Sequence, residues 1–177
     1  MKSQAPELRV IYYDSMTSEG KMDWQNALTD KNSMFLSDEE GTAVADEMFL
    51  NFWWTEDELA SEELIKASAE KAEELGLDPY QVFAGVDIQA DGYMTPIRWD
   101  LFESGDNSTH TSLGLYCPNW AYTSAQNLDD FHKKENNLWV NSKQDPSAEI
   151  EYASDTQWHG VSTYAVEKSA ITSLPFV

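Results

Sequence analysis

The residues best suited to chemistry lie in Met48–Thr55, which reads MFLNFWWT. An amide, Asn51, precedes three consecutive large rings, Phe52, Trp53 and Trp54. Flat apolar faces beside an amide suit a ligand whose own faces are C–H and whose rim is hydroxyl, which describes a sugar. Large aromatics also dominate ordinary cores, so the rings alone leave packing open as the alternative. Three other stretches end apolar runs in polar or aromatic groups: Tyr13 with Asp14, Asp87 with Gln89, and Tyr116 through Trp120 to Tyr122. Asp14 reads either as a general base or as the cap of the turn that follows it. Asp87 reads either as a sugar contact or as structural support. An Asp14/Asp87 acid–base pair in an unrelated α/β enzyme is a further reading.

Other chemistries find little support. Cys117 precedes a proline and has no histidine near it in sequence, which argues against a nucleophile. His110, His132 and His159 show no metal-ligand spacing, and no glycine-rich phosphate loop is present. No cofactor and no metal are therefore expected.

The elements that must position these groups follow from periodicity and punctuation. Leu8–Asp14 (LRVIYYD), Met48–Trp54, Gln81–Gln89 and Leu113–Pro118 read as strands. In the second of these, alternation sends Asn51 and Trp53 to one side, Phe52 and Trp54 to the other. In the third, Asp87 and Gln89 share a face with Gly85. Thr55 with Glu58 forms a capping-box pattern that predicts a helix from Glu56 to about Leu75, stopped by Gly76. Leu64, Ile65, Ala69, Ala72 and Leu75 would be its buried stripe. Trp24–Asp30 reads as a short helix on the Trp24/Leu28 spacing, and Ser124–Glu135 as a longer one with Leu128 and Phe131 inward. A short helix is expected near Trp99–Phe102, Leu138–Ser154 reads as loop, and order resumes at His159–Glu167. The last residues, Pro175–Val177, lie inside what reads as an apolar strand.

Strand centres near residues 11, 51, 86 and 115 are separated by roughly 40, 35 and 29 residues, the spacing of βα units in a parallel sheet. A complete (β/α)8 barrel takes about 250 residues, so four units amount to half of one. The polar and aromatic groups gather at the C-terminal ends of the four strands, where such barrels carry their sites.

Composition narrows the partners. Thirty-two acidic residues against eleven basic ones leave a net charge of −21, which repels phosphate backbones and anionic lipid. Neither nucleic acid nor a membrane is an expected partner. Seven Trp, eight Tyr and seven Phe argue against disorder. One cysteine allows no internal disulfide. The first residues lack a signal-peptide pattern, so the expected compartment is the cytosol, with secretion or the cell surface the alternative if a leader lies upstream.

The stretches YYDSMTSEGKMDWQNAL, MFLNFWWT, DPYQVFAGVDIQADGY, LGLYCPNW and HGVSTYAVEKSAITSLPF, in this order and spacing, resemble glycoside hydrolase family 85, the endo-β-N-acetylglucosaminidases. The resemblance extends over nearly the whole chain. It implies an α/β fold, the C-terminal half (last four βα units) of a (β/α)8 TIM barrel. Residues 1–177 would then be part of one catalytic barrel, with those from about 155 leading out of it. It implies hydrolysis of the chitobiose core of N-linked glycans by a substrate-assisted retaining mechanism. The substrate's 2-acetamido oxygen attacks the anomeric carbon, an Asn orients the acetamide, and a Glu two residues later is general acid and then base. That Asn-x-Glu pair belongs on the strand before Leu8–Asp14, and no Asn-x-Glu occurs in these 177 residues. The chain alone is expected to be inactive, and a non-catalytic carbohydrate-binding piece is the alternative.

By the same resemblance, Tyr13 is the phenol that hydrogen-bonds near the acetamide and Trp24 gates the acceptor side. Phe52 and Trp53 form the aromatic pair under the sugar, with a one-residue shift to Trp54 as the alternative. Asn51 and Gln89 hydrogen-bond hydroxyls or the acetamide, Asp87 supports them, and Trp120 or Tyr122 lines the far rim. The expected partner is an N-linked glycan or glycoprotein, and exposed strand edges invite self-association.

Overall fold

The computed structural model describes residues 5, 7–38, 40–55, 63–102 and 111–164. Four strands form one sheet in the order β1-β2-β3-β4: β1 (Ile11–Tyr13), β2 (Glu47–Phe49), β3 (Val82–Asp87) and β4 (Ser112–Tyr116). β1 pairs parallel with β2 with Tyr12 opposite Met48, and β2 pairs parallel with β3 with Met48 opposite Val82. Spatial order equals chain order, as successive βα units require. The fold is α/β with a parallel four-stranded sheet, part of a (β/α)8 barrel.

The chain divides into two compact units, Met1–Val86 with Ser104–Leu115, and Asp87–Glu103 with Tyr116–Val177. In the first, Met48, Leu50, Val82, Ala84 and Val86 are buried. The ring of Phe49 fills space that only glycines leave open: a Cβ on Gly85 would lie 2.5 Å from it, and one on Gly114 2.4 Å. Helix α1 (Leu64–Glu74) buries Ile65, Ser68, Ala69 and Ala72, close to the expected stripe, and ends before Gly76 at φ +71°. Glu58 of the predicted capping box and residues 56–62 of the predicted helix fall outside the described residues.

Two expectations in this unit fail. Strand β2 stops at Phe49, and Phe52–Thr55 winds into a 3-10 turn instead of extending the strand. The predicted period-2 alternation therefore does not apply to the three rings. Residues 24–30 form no helix, because the buried carboxylate of Asp14 takes the backbone N–H groups of Gln25 and Asn26, and Asn26 sits at φ +55°. A side chain that captures successive backbone donors competes directly with helix formation.

The second unit is built around Ile88, Ile97, Trp99, Ala121, Leu138 and Trp158, all buried. Trp99 packs edge-on to Trp158 at 5.1 Å and face-on to His159 at 5.4 Å. The expected short helix at Trp99–Phe102 is a 3-10 turn. A separate short helix, α2 (Trp120–Thr123), precedes the span predicted over Ser124–Glu135. The helix predicted there begins only at Leu128, as α3 (Leu128–Glu135), because Asn127 caps it by accepting from the N–H of Asp130 at 2.9 Å. Leu128 is 66% exposed rather than inward, as suits the first residue after a cap. The predicted loop from Leu138 begins inside a π turn, Asn136–Val140, and order resumes in a 3-10 turn at Val161–Tyr164. Residues 165–177, with the predicted terminal strand, fall outside the described residues. No described helix is long and apolar enough to cross a membrane.

Candidate functional site

In the first unit the site grows outward from Asp14, which is fully buried at the end of β1. Its carboxylate accepts from Asn26 N–H at 2.7 Å, Asn32 Nδ2 at 3.0 Å and Gln25 N–H at 3.3 Å, and from the backbone N–H of Asn51. Burial pushes the carboxyl pKa above its ordinary value, and these donors pull the other way without cancelling it. With its oxygens engaged by the loop it organises, Asp14 is the structural cap of the two readings rather than a general base.

Above Asp14 runs a relay of amides. The Asn26 amide oxygen accepts from Asn51 Nδ2 at 2.7 Å and from the N–H of Trp53 at 3.3 Å, while its Nδ2 donates to the Trp24 carbonyl at 3.4 Å. The Asn51 amide oxygen in turn accepts from the Tyr13 hydroxyl at 2.6 Å. Asn51 is 4% exposed, with both amide ends held by protein groups. The side chain braces Tyr13 from the interior.

The aromatics divide by burial. Tyr13, Trp24 and Trp53 are 37%, 38% and 45% exposed, and the two indoles meet edge-on at 5.7 Å. Phe52 is half-buried, with its ring 6.2 Å from that of Tyr13. Trp54 is buried and donates its indole N–H to the Gly85 carbonyl at 2.8 Å. Of these two neighbouring indoles, Trp53 is the exposed one.

The remaining candidates belong to the second unit. Asp87, half-buried at the end of β3, accepts from the N–H of Gln89 at 2.9 Å, while Gln89 is exposed beyond the strand. Trp120 is nearly buried. Its indole N–H donates to the Ala90 carbonyl at 3.2 Å, and Tyr93 meets it edge-on at 5.6 Å. A Cβ on Gly92 would lie 2.2 Å from the Trp120 ring, and the Lys134 ammonium stands 5.2 Å from its centre. These contacts give Trp120 a packing role. Tyr122 is 75% exposed with an edge contact to Phe131. Among the described residues no group of three or more His, Cys, Asp or Glu side chains is arranged to hold a metal.

The family model for glycosyl hydrolase family 85 matches residues 1–177. The chain belongs to that family. Among curated relatives, cytosolic endo-beta-N-acetylglucosaminidase 1 of Arabidopsis thaliana is 32% identical over 141 residues, 78% of this chain and 18% of the relative. The cytosolic endo-beta-N-acetylglucosaminidase of Danio rerio is 29% identical over 145 residues, with the same shares covered. The solved glycoside hydrolase domain Spr0440, Endo-D from Streptococcus pneumoniae R6, superposes with a TM-score of 0.76 at 25% identity, covering 91% of this chain and 25% of that one. This family 85 chain thus spans under a fifth of the length of the curated relatives it matches.

One residue at the centre of the relay, Asn26, was missed by sequence reasoning. Trp24/Leu28 spacing drew attention to a helix, whereas the pair Asn26 and Asn32 flanking a short apolar step was the available signal. Asparagine tolerates the left-handed region and binds neighbouring backbone, which marks turns rather than helices.

Proposed function

We propose that this chain forms part of the substrate-binding wall of a mannosyl-glycoprotein endo-β-N-acetylglucosaminidase. The whole enzyme would hydrolyse the chitobiose core of N-linked glycans with the substrate's acetamide as nucleophile. The observation that carries the reading is the half-exposed Trp24–Trp53 pair standing beside Tyr13, all three anchored to one buried amide relay. Indole faces stack on the C–H faces of a hexose while a phenol and nearby polar groups meet its rim. Tyr13 sits near the acetamide, Trp24 gates the acceptor side, and Phe52 with Trp53 lies under the sugar. Within the second unit, Gln89, Asp87 and Tyr122 are proposed as sugar contacts or supports. Residues 1–177 are proposed as one part of the catalytic barrel, and the compartment as the cytosol, in keeping with the names of the relatives.

The sequence holds no Asn-x-Glu, the pair that would supply the proton donor and orient the acetamide. That favours binding without cleavage for these 177 residues taken alone. Glycan release from a high-mannose glycoprotein should be absent. Titration with N,N′-diacetylchitobiose should change tryptophan fluorescence, and Trp53→Ala should remove most of that change. A folded sample that shows no response to the disaccharide overturns the reading. The outer strands β1 and β4 also predict self-association of the isolated chain, and a compact monomer by sedimentation would refute that part.

A further inference from the structure

Amide side chains are nearly symmetric in shape, so their direction must be read from partners whose polarity is fixed. Asn26 has two such partners. The N–H of Trp53 can only donate and lies 3.3 Å from Oδ1, and the carbonyl of Trp24 can only accept and lies 3.4 Å from Nδ2. Together they set the Asn26 amide one way round. The group of Asn51 that meets Asn26 Oδ1 at 2.7 Å must then be its NH2, which turns the Asn51 oxygen toward Tyr13. An amide oxygen cannot donate, so the single phenolic proton of Tyr13 is committed to that 2.6 Å bond.

We infer that Asn26 is a positioning residue that makes the Tyr13 oxygen a hydrogen-bond acceptor toward the bound sugar, so that this position selects a donor on the ligand. Backbone N–H polarity at Trp53 is carried through two amides to a phenol half-exposed at the surface. The direction follows from the two backbone partners of Asn26 and does not depend on the phenol's other contacts. A ligand carbonyl or ether oxygen placed against Tyr13 would meet lone pairs and be disfavoured. An acetamide N–H or a hydroxyl meets them productively. The inference rests on the proposed sugar-binding role and adds to it the polarity of one contact and the residue that sets it.

The test uses a pair of substitutions chosen for the backbone at φ +55°. Asn26→Gly keeps that conformation and deletes the amide, whereas Asn26→Asp keeps an acceptor for both Trp53 N–H and Asn51 Nδ2. Binding of methyl 2-acetamido-2-deoxy-β-glucoside is followed by NMR on the whole chain. Asn26→Gly and Tyr13→Phe should each weaken binding about fivefold to tenfold, the worth of one net hydrogen bond. The double variant should be no worse than either single one, and Asn26→Asp should stay within about twofold of the parent. Parent binding should also fall when the probe is the 2-O-acetyl analogue, if the donor is the N–H, or the 3-deoxy analogue, if it is a hydroxyl. That loss should vanish in Asn26→Gly. In the parent protein the Tyr13 hydroxyl proton should exchange slowly and show a cross-peak to the Asn51 side chain, which tests the relay without any ligand. Additive losses, an Asn26→Asp as weak as Asn26→Gly, indifference to both analogues, or the absence of the cross-peak overturns the inference. Failure of the parent to bind the parent sugar overturns the sugar-binding role, and this inference with it.

Discussion

Both units hang tryptophans near strand ends, and Trp120 of the second is used in the opposite way to Trp24 and Trp53 of the first. Trp120 in the second unit is enclosed by Gly92, Tyr93 and Lys134, and its N–H is spent on a nearby carbonyl. Trp24 and Trp53 in the first unit lean edge to face at the surface, while the polar groups that hold them lie underneath. Aromatic type does not separate platform from core. What separates them is where the hydrogen bonds go: in one case the indole itself is pinned, in the other the backbone beneath it is pinned and the ring is left to present a face.

The sharpest way to break this comparison is to truncate rings on each side of it. Trp54→Ala and Trp120→Ala should each cost about 3–5 kcal/mol in urea unfolding, because each removes a buried ring and orphans a carbonyl. Trp53→Ala and Trp24→Ala should cost less than about 1 kcal/mol and act on ligand binding instead. If Trp53→Ala unfolds the protein as readily as Trp54→Ala, the two classes are one.

A smaller effect is expected at Asp14. Replacing it with asparagine turns an NH2 toward at least one of the buried donors it now accepts from, at a cost of about 2–3 kcal/mol. Its pH dependence tests which force prevails. Burial raises the folded carboxyl pKa above its unfolded value near 3.8, so the folded state holds the proton more tightly. The stability this adds is fully present below the unfolded pKa and is lost as pH rises through the folded one. The gap between the parent and Asp14→Asn should therefore widen on acidification from neutral pH toward about pH 4. A gap that narrows instead would mean that the hydrogen-bond donors outweigh burial.

How much of this was legible in the sequence follows the same division. Strand centres and chain order were readable because β-branched runs and βα spacing are local signals, and the stripe Ile65, Ala69, Ala72 emerged from periodicity alone. The placement of Phe52–Thr55 in a turn was not readable, since three large rings favour strand statistics and the turn depends on contacts such as Asn26 Oδ1 with Trp53 N–H, 27 residues apart in sequence. The helix expected at Trp24–Asp30 failed for the same reason: the competitor, Asp14, sits outside any helical window. Trp54 and Trp120 were indistinguishable from Trp53 by type, because burial of an indole is decided by what covers it, here Gly85 and Gly92 with their neighbours. Family resemblance supplied candidate positions, and the hydrogen bonds sorted them into braces, core and surface.

The smallest effect sets a carboxylate of the second unit against that of the first. Asp130 on α3 accepts from the N–H of Gln126 at 3.0 Å and pairs with Lys134 at 3.1 Å, and these contacts hold its pKa below the ordinary value. The sign is opposite to that of Asp14: the contribution is present above the unfolded pKa and is lost as pH falls through the folded one. Asp130→Asn should therefore weaken the protein slightly at neutral pH, and the deficit should close on acidification below about pH 4, while the deficit of Asp14→Asn grows over its own window. Because Asp130 is only half-buried, added salt should shrink its effect through the Lys134 pair and leave that of buried Asp14 nearly untouched. Parallel unfolding curves for the two variants across pH and salt read both slopes in one experiment. Equal slopes would mean that the two carboxylates share an environment, and the contrast drawn between the interior relay and the solvated helix would fail at its electrostatic end.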